Sequence, residues 1–145
     1  MMYPFLFLLL LAVFPAWGED SAQVPNGETG AITSDAAEVL DPSVHVRLGY
    51  LLIKKGALDE AMKSFDEAIR LNPRSCDAKT GKGIVLARKG NLKEAEQVLK
   101  DALVLNPNPV RTHYELGLIY QRLDQFDKAI AEFKEGIKKH ELGRM

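Results

Sequence analysis

From Pro42 onward, apolar residues recur at spacings of three and four, the period of a helix with one buried face. Leu48 and Leu52, then Leu86, then Leu116 and Tyr120 mark this stripe in three successive segments. Each of these segments is followed by a second one, marked by Ala61 with Phe65, Ala95 with Leu99, and Ala129 with Phe133. Stop signals separate them. Gly56 and Gly90 suit the left-handed conformation that ends a helix, and Asp124, a poorer choice, stands at the third such place. Asn72-Pro73 and Asn106-Pro107 end the second segments, because proline cannot continue a helix. Start signals match. Asp41-Pro42 and Asn108-Pro109 put a capping side chain before a proline at the first helical position, and Ser75 can cap the middle unit. The pattern predicts first helices of about 14 residues. It predicts second helices from Leu58, Leu92 and Phe126, the last running over 126–140.

These pairs are copies of one unit. Shifted by 34 residues, the chain matches itself without a gap at 11 positions, from Gly49/Gly83 to Pro73/Pro107. A second shift reaches Gly117, Tyr120, Phe126, Ala129, Phe133 and Ile137. The repeats are therefore 42–75, 76–109 and 110–143. Gly49, Gly83 and Gly117 fall inside the first helices, where glycine costs about 1 kcal/mol against alanine. A cost repeated three times at one phase predicts a close helix crossing. Ala61, Ala95 and Ala129 are then the small partners, and Phe65, Leu99 and Phe133 the large knobs beside them.

The unit resembles the tetratricopeptide repeat (TPR), a 34-residue helix-turn-helix whose pattern includes L-G-x2-Y, A-x3-F and P. Leu48-Gly49 with Leu52, Ala61 with Phe65, and Pro73 carry it in the first copy. The second copy has Gly83, Leu86, Ala95, Leu99 and Pro107, and the third Leu116-Gly117, Tyr120, Ala129 and Phe133. His45, Lys79 and His113 depart from the family's large aromatic, and Lys82 from its leucine. Gly136 and Glu141 depart from its alanine and proline. The resemblance covers about 102 of 145 residues. It implies an all-α fold of six helices, three TPR units stacked in a right-handed superhelix. Lys134, Glu135, Lys138 and Lys139 suggest that the last helix turns polar outward, as a terminal repeat should.

Charge divides the chain. The net value is −1, yet residues 1–41 hold six acids and no Lys or Arg, and residues 42–145 hold all 19 basic residues and 14 acids, a net of +5. Phe5 to Phe14 is an unbroken apolar run, shorter than the ~20 residues of a membrane span, and Ala16-Trp17-Gly18 follows Pro15. Residues 1–18 read as a signal peptide cleaved after Gly18, although no basic residue precedes the run. The alternative is an uncleaved membrane anchor. Residues 19–41 read as an acidic flexible linker, with one helical turn at Asp35–Leu40. The expected location is therefore exported, periplasmic or secreted. The acidic linker is also expected to compete weakly for a basic groove, so deleting 19–34 should raise partner affinity, most at low salt.

No catalytic spacing emerges. One Cys excludes a disulfide framework and Cys-based metal sites. The near-zero charge argues against nucleic acid. His45 and His113 occupy equivalent places two repeats apart, and Cys76 sits at a helix start. Gly81-Lys82-Gly83 lacks the flanking residues of a phosphate loop. The expectation is a non-enzymatic protein without cofactor or metal. The resemblance implies that the first helices line a concave groove that binds a partner peptide or helix. Carried over, that groove takes Val46, Tyr50, Ile53 and Lys54 from the first repeat and Thr80, Ile84 and Arg88 from the second. Arg111, Tyr114, Glu115, Leu118 and Arg122 come from the third. Lys54, Arg88 and Arg122 recur every 34 residues, either as a basic ladder on the groove edge or as cations favoured at helix C-termini. The family's carboxylate clamp is not matched: its positions hold Val46, Tyr50, Gly81, Arg111 and Glu115, of which only Arg111 fits in charge. The leading expectation is an exported adaptor or scaffold, with a role in cell-envelope assembly among those implied. The alternative is a structural subunit that self-associates through the ends of the stack. Membrane contact is expected only if the N-terminal run stays uncleaved.

Overall fold

A computed structural model describes residues 41–107 and 109–145. The signal or anchor at 1–18, the linker and the turn at Asp35–Leu40 lie outside the described residues. Six helices follow one another: α1 (Pro42–Lys55), α2 (Leu58–Leu71), α3 (Cys76–Arg88), α4 (Leu92–Leu105), α5 (Val110–Arg122) and α6 (Phe126–Leu142).

The local chemistry explains the boundaries. Asp41 caps α1 by accepting from the Ser43 backbone N–H at 2.9 Å, with Pro42 at the first turn. Ser75 caps α3 through Ala78 N–H at 3.2 Å. Gly56 and Gly90 take positive φ after α1 and α3, and Asp124 takes φ 57° after α5. Two boundaries differ from the sequence expectation. α5 begins at Val110, with Pro109 as the residue before it and no side-chain cap, and Asn108 lies outside the described residues. α6 runs two residues beyond 140, to Leu142, because Glu141 stands where Pro73 and Pro107 stop the earlier helices.

Helices pack as pairs, α1 with α2, α3 with α4, α5 with α6, and each pair leans on the next through α2–α3 and α4–α5. The first helices also touch each other, α1 with α3 and α3 with α5, which makes them one layer of the stack. Two core clusters fill the junctions. One joins Ile53, Ala61, Phe65, Ile84 and Val85; the other joins Leu86, Ala95, Leu99, Leu116, Ile119, Tyr120 and Ala129. Met62 packs against both. Ion pairs edge the first junction, Lys82 to Asp66 at 2.7 Å and Lys89 to Asp59 at 2.6 Å.

The in-phase glycines admit the knobs directly. A Cβ built on Gly49, Gly83 or Gly117 would come within 2.6, 2.6 and 2.5 Å of Phe65, Leu99 and Phe133 respectively. Gly81 is a fourth such approach, where a built Cβ would lie 2.2 Å from the Phe65 ring, so that ring packs tightly against both α1 and α3.

The expectation of a polar outer side for α6 needs correction. Lys134 and Lys138 are exposed, but so are Phe126, Ile130 and Ile137, at 57%, 51% and 60%. Leu48 and Leu51 on α1 are exposed as well. Their counterparts Leu116 and Ile119 on α5 are buried because α4 covers them, and among the described residues nothing precedes α1.

Candidate functional site

The site grows from the layer of first helices. α3 and α5 frame a cleft of about 570 Å³. Ile84, Arg88, Tyr114, Glu115, Leu118 and Arg122 line it, all six from the positions the sequence pointed to. Tyr114 is half exposed and its ring lies 5.8 Å from that of Phe133, which holds the tyrosine against α6. Leu118 is partly buried and gives the apolar floor.

A second cluster joins repeats one and three. The Arg111 guanidinium lies 4.1 Å from the Tyr50 ring centre, a cation–π contact bridging α5 and α1. Tyr50 meets Phe65 edge-on at 5.2 Å and donates its hydroxyl to the Asp77 carbonyl at 3.1 Å. Burial pushes the Tyr50 phenol up to about 12, with the Arg111 charge opposing the shift. Glu115 stands between cations. Burial raises its carboxyl above the ordinary range, and Arg111 and Arg88 pull the other way.

The basic ladder resolves into struts. Arg88 Nη1 donates to the Ile53 carbonyl in the last turn of α1 at 3.1 Å. Arg122 Nη1 donates to the Ala87 carbonyl in the last turn of α3. Both reach back 35 residues, so each arginine caps the first helix of the repeat before its own. One N–H of five is used, and the rest of each guanidinium stays at the cleft edge. Lys54 is exposed at the end of α1.

Three predicted groove residues are not on the open surface. Ile53 is in the first core cluster. Thr80 is buried because its hydroxyl pairs with that of Thr112 at 3.0 Å, a polar stitch between α3 and α5. Ile84 is 4% exposed, so it closes the bottom of the cleft while packing in the core. Val46 packs partly against the first cluster and borders a separate hollow beside Asp77. Gly81 offers no room for a ligand backbone, since Phe65 fills it. Ala87 and Gln121 also line the cleft, each one residue before a ladder arginine. Neither type carries a pattern that sequence reading could have singled out.

The remaining chemistry is structural. His113 is buried with Nδ1 at 2.8 Å from Glu132. Burial holds the Cys76 thiol above its ordinary value, opposite to an activated thiolate. Among the described residues no group of three His, Cys, Asp or Glu is placed to hold a metal, and no helix is long and apolar enough to cross a membrane.

Comparison with known proteins agrees with this architecture. Among curated proteins none matches the chain in sequence. Of solved structures, MamA superposes with a TM-score of 0.64 at 24% identity, over 76% of this chain and 70% of that one. The Arabidopsis OM64 TPR domain gives 0.63 at 19% identity, over 68% and 81%. A second MamA structure (MSR-1 C2) gives 0.61 at 23% identity, over 74% and 62%. Family models described as tetratricopeptide repeat match residues 46–110 and 110–138. With repeats matched from Val46 to Lys138 and packed as stacked helix pairs, the chain belongs to the tetratricopeptide repeat family.

Proposed function

We propose that this repeat stack is a protein–protein interaction module that holds a partner peptide in the cleft between α3 and α5. The observation that carries the reading is the cleft's composition. An apolar floor of Ile84 and Leu118 and the exposed ring of Tyr114 lie beside the guanidiniums of Arg88 and Arg122. That combination suits a segment with apolar anchors flanked by carboxylates. Arginine matches carboxylates with a forked donor set, and exposed aromatic rings give contact area at low entropic cost. In this reading the module acts by binding.

A peptide-display selection on the full chain tests this, followed by titration of selected peptides. Tyr114→Ala and Arg88→Glu should each weaken binding by about tenfold, the scale of a contact worth ~1.4 kcal/mol. Equal binding by wild type and both variants refutes the cleft as the site. We further propose that the module works outside the cytoplasm, supported by the apolar run Phe5–Phe14 followed by Ala16-Trp17-Gly18. Fractionation with N-terminal sequencing tests that: a mature chain starting at Glu19 supports it, and an intact N-terminus in the cytoplasm overturns it.

A further inference from the structure

Phe126, Ile130 and Ile137 of α6 are exposed at the end of the stack, and Phe133, partly buried against Gly117, continues their row. Their spacing of four, three, four is a coiled-coil seam. In the earlier repeats the same positions are Leu58, Met62, Phe65 and Ile69, then Leu92, Glu96, Leu99 and Leu103. There the first helix of the following repeat covers them, α3 on α2 and α5 on α4. Phe65 is fully buried between Gly49 and Gly81. Phe133 has Gly117 on one side only, and on the other a hollow of about 550 Å³ opens between it, Val110, Tyr114 and Ile137. Among the described residues this seat has no helix in it.

We propose that the seat is filled by α6 of a second copy, packed antiparallel to form a two-fold dimer. Antiparallel register places Phe126 opposite Ile137 and Ile130 opposite Phe133 of the second copy. The Phe126 ring of each copy is then the knob for the other's hollow. The flanking charges agree. Asp127 and Lys134 follow Phe126 and Phe133 on the same edge of the seam, and antiparallel pairing sets Asp127 of each copy against Lys134 of the other. Two such ion pairs form by symmetry. On the opposite edge Ala129 and Gly136 are small and already buried against α5, so the helices can approach closely. A closed two-fold contact uses one surface twice and does not propagate into a chain of copies.

The other self-association available, α1 of a second copy in the seat, is sterically poor. The residue that would stand where Gly81 stands over Phe65 is Arg47, 34 positions earlier. A mere Cβ at Gly81 would already lie 2.2 Å from the ring. The α1 face therefore lacks the glycine that this seat demands of a first helix.

Charge exchange on the full-length chain tests the register. Sedimentation equilibrium over a hundredfold concentration range should give a monomer–dimer curve for wild type. Asp127→Lys alone and Lys134→Asp alone each put like charges together twice, and should each raise the dimer dissociation constant roughly three- to tenfold at low salt. The double exchange restores both pairs with reversed sign and should return the constant to near wild type. Ile137→Glu, at an exposed position, should abolish the dimer while circular dichroism stays unchanged. A strict monomer, an assembly that grows beyond two, equal association of wild type and single exchanges, or no recovery in the double exchange overturns the proposal.

Discussion

Replacing Gly81 by alanine probes the closest approach that any glycine makes among the described residues. The new Cβ would sit 2.2, 2.3 and 2.7 Å from Cε1, Cζ and Cδ1 of Phe65. Ordinary carbon contacts lie at ~3.5–4.0 Å, so the ring would have to move by more than an ångström. It has nowhere to go. Phe65 is fully buried, and on α1 a Cβ at Gly49 would already lie 2.6 Å from the same ring. Overpacking of this sort costs ~1–3 kcal/mol, and the severity of the overlap points to the upper end. Against it stands the ~1 kcal/mol gained by removing glycine from a helix. The net expectation is a loss of about 2 kcal/mol, or a fall in Tm of roughly 10 °C for a domain of this size.

The second junction supplies the control. There Leu99 takes the place of Phe65, and Glu115, with a full side chain, takes the place of Gly81. Phe65→Leu should therefore relieve Gly81→Ala. Urea unfolding followed at 222 nm on wild type, both single variants and the double variant gives the coupling energy, expected at more than ~1 kcal/mol in the relieving direction. If Gly81→Ala is within ~0.5 kcal/mol of wild type, or the two effects simply add, the wedge does not decide the register of α3 on α2.

Arg88→Gln removes the donor to the Ile53 carbonyl and should cost ~1 kcal/mol in the same assay, with Arg122→Gln matching it at the next junction; no loss at either refutes the strut. Glu115 has a raised carboxyl, so the folded state holds its proton more tightly than the unfolded chain does, and stability falls as pH rises from its ordinary 4.5 through the raised value. Glu115→Gln should abolish that part of the fall when urea midpoints are compared between pH 4 and pH 7, and an unchanged slope counts against the desolvation. Tyr50, pushed up to about 12, should resist ionisation in an absorbance titration at 295 nm well past the ordinary tyrosine range near 10, and Tyr50→Phe should remove that late step. Deleting residues 19–34 should raise peptide affinity most at low salt, and equal affinities would dismiss the acidic linker as a competitor.

The fold was legible because its signals are local and occur three times. Each helix is announced by a cap, a stripe and a stop, and the 34-residue shift turns weak signals into a phase. Even Asp124, a poor residue for positive φ, was readable from the glycines at the equivalent places. The site was less legible, because periodicity tells which side of a helix a residue occupies and not how deeply the neighbouring repeat covers it. Thr80 shows the difference. Its phase is that of the groove, but Thr112 from the next helix reaches it and closes it off. Ile53 falls to the same effect. The need for Gly81 could not be read locally, since the residue that requires it, Phe65, lies 16 positions earlier on another helix.

The arginine ladder shows how one residue can serve both readings the sequence left open. A cation at a helix C-terminus is favourable by about 0.3–1 kcal/mol, which would explain Arg88 and Arg122 without any partner. Yet each reaches the helix of the preceding repeat and not its own carbonyls. The bond therefore fixes the spacing of α1 to α3 and of α3 to α5, the dimension that sets the cleft's width. Because one N–H is committed and the others are not, the guanidinium is held in place before any ligand arrives. An acidic peptide would then meet ordered charges and would lose little affinity to freezing long side chains. Lys54 lacks such an anchor and makes a useful contrast. Its charge should add only a screened attraction, so Lys54→Gln should change peptide affinity less than Arg122→Lys, which keeps the charge and loses the fork. The opposite order in a titration would mean that net charge alone, and not the held geometry, governs binding.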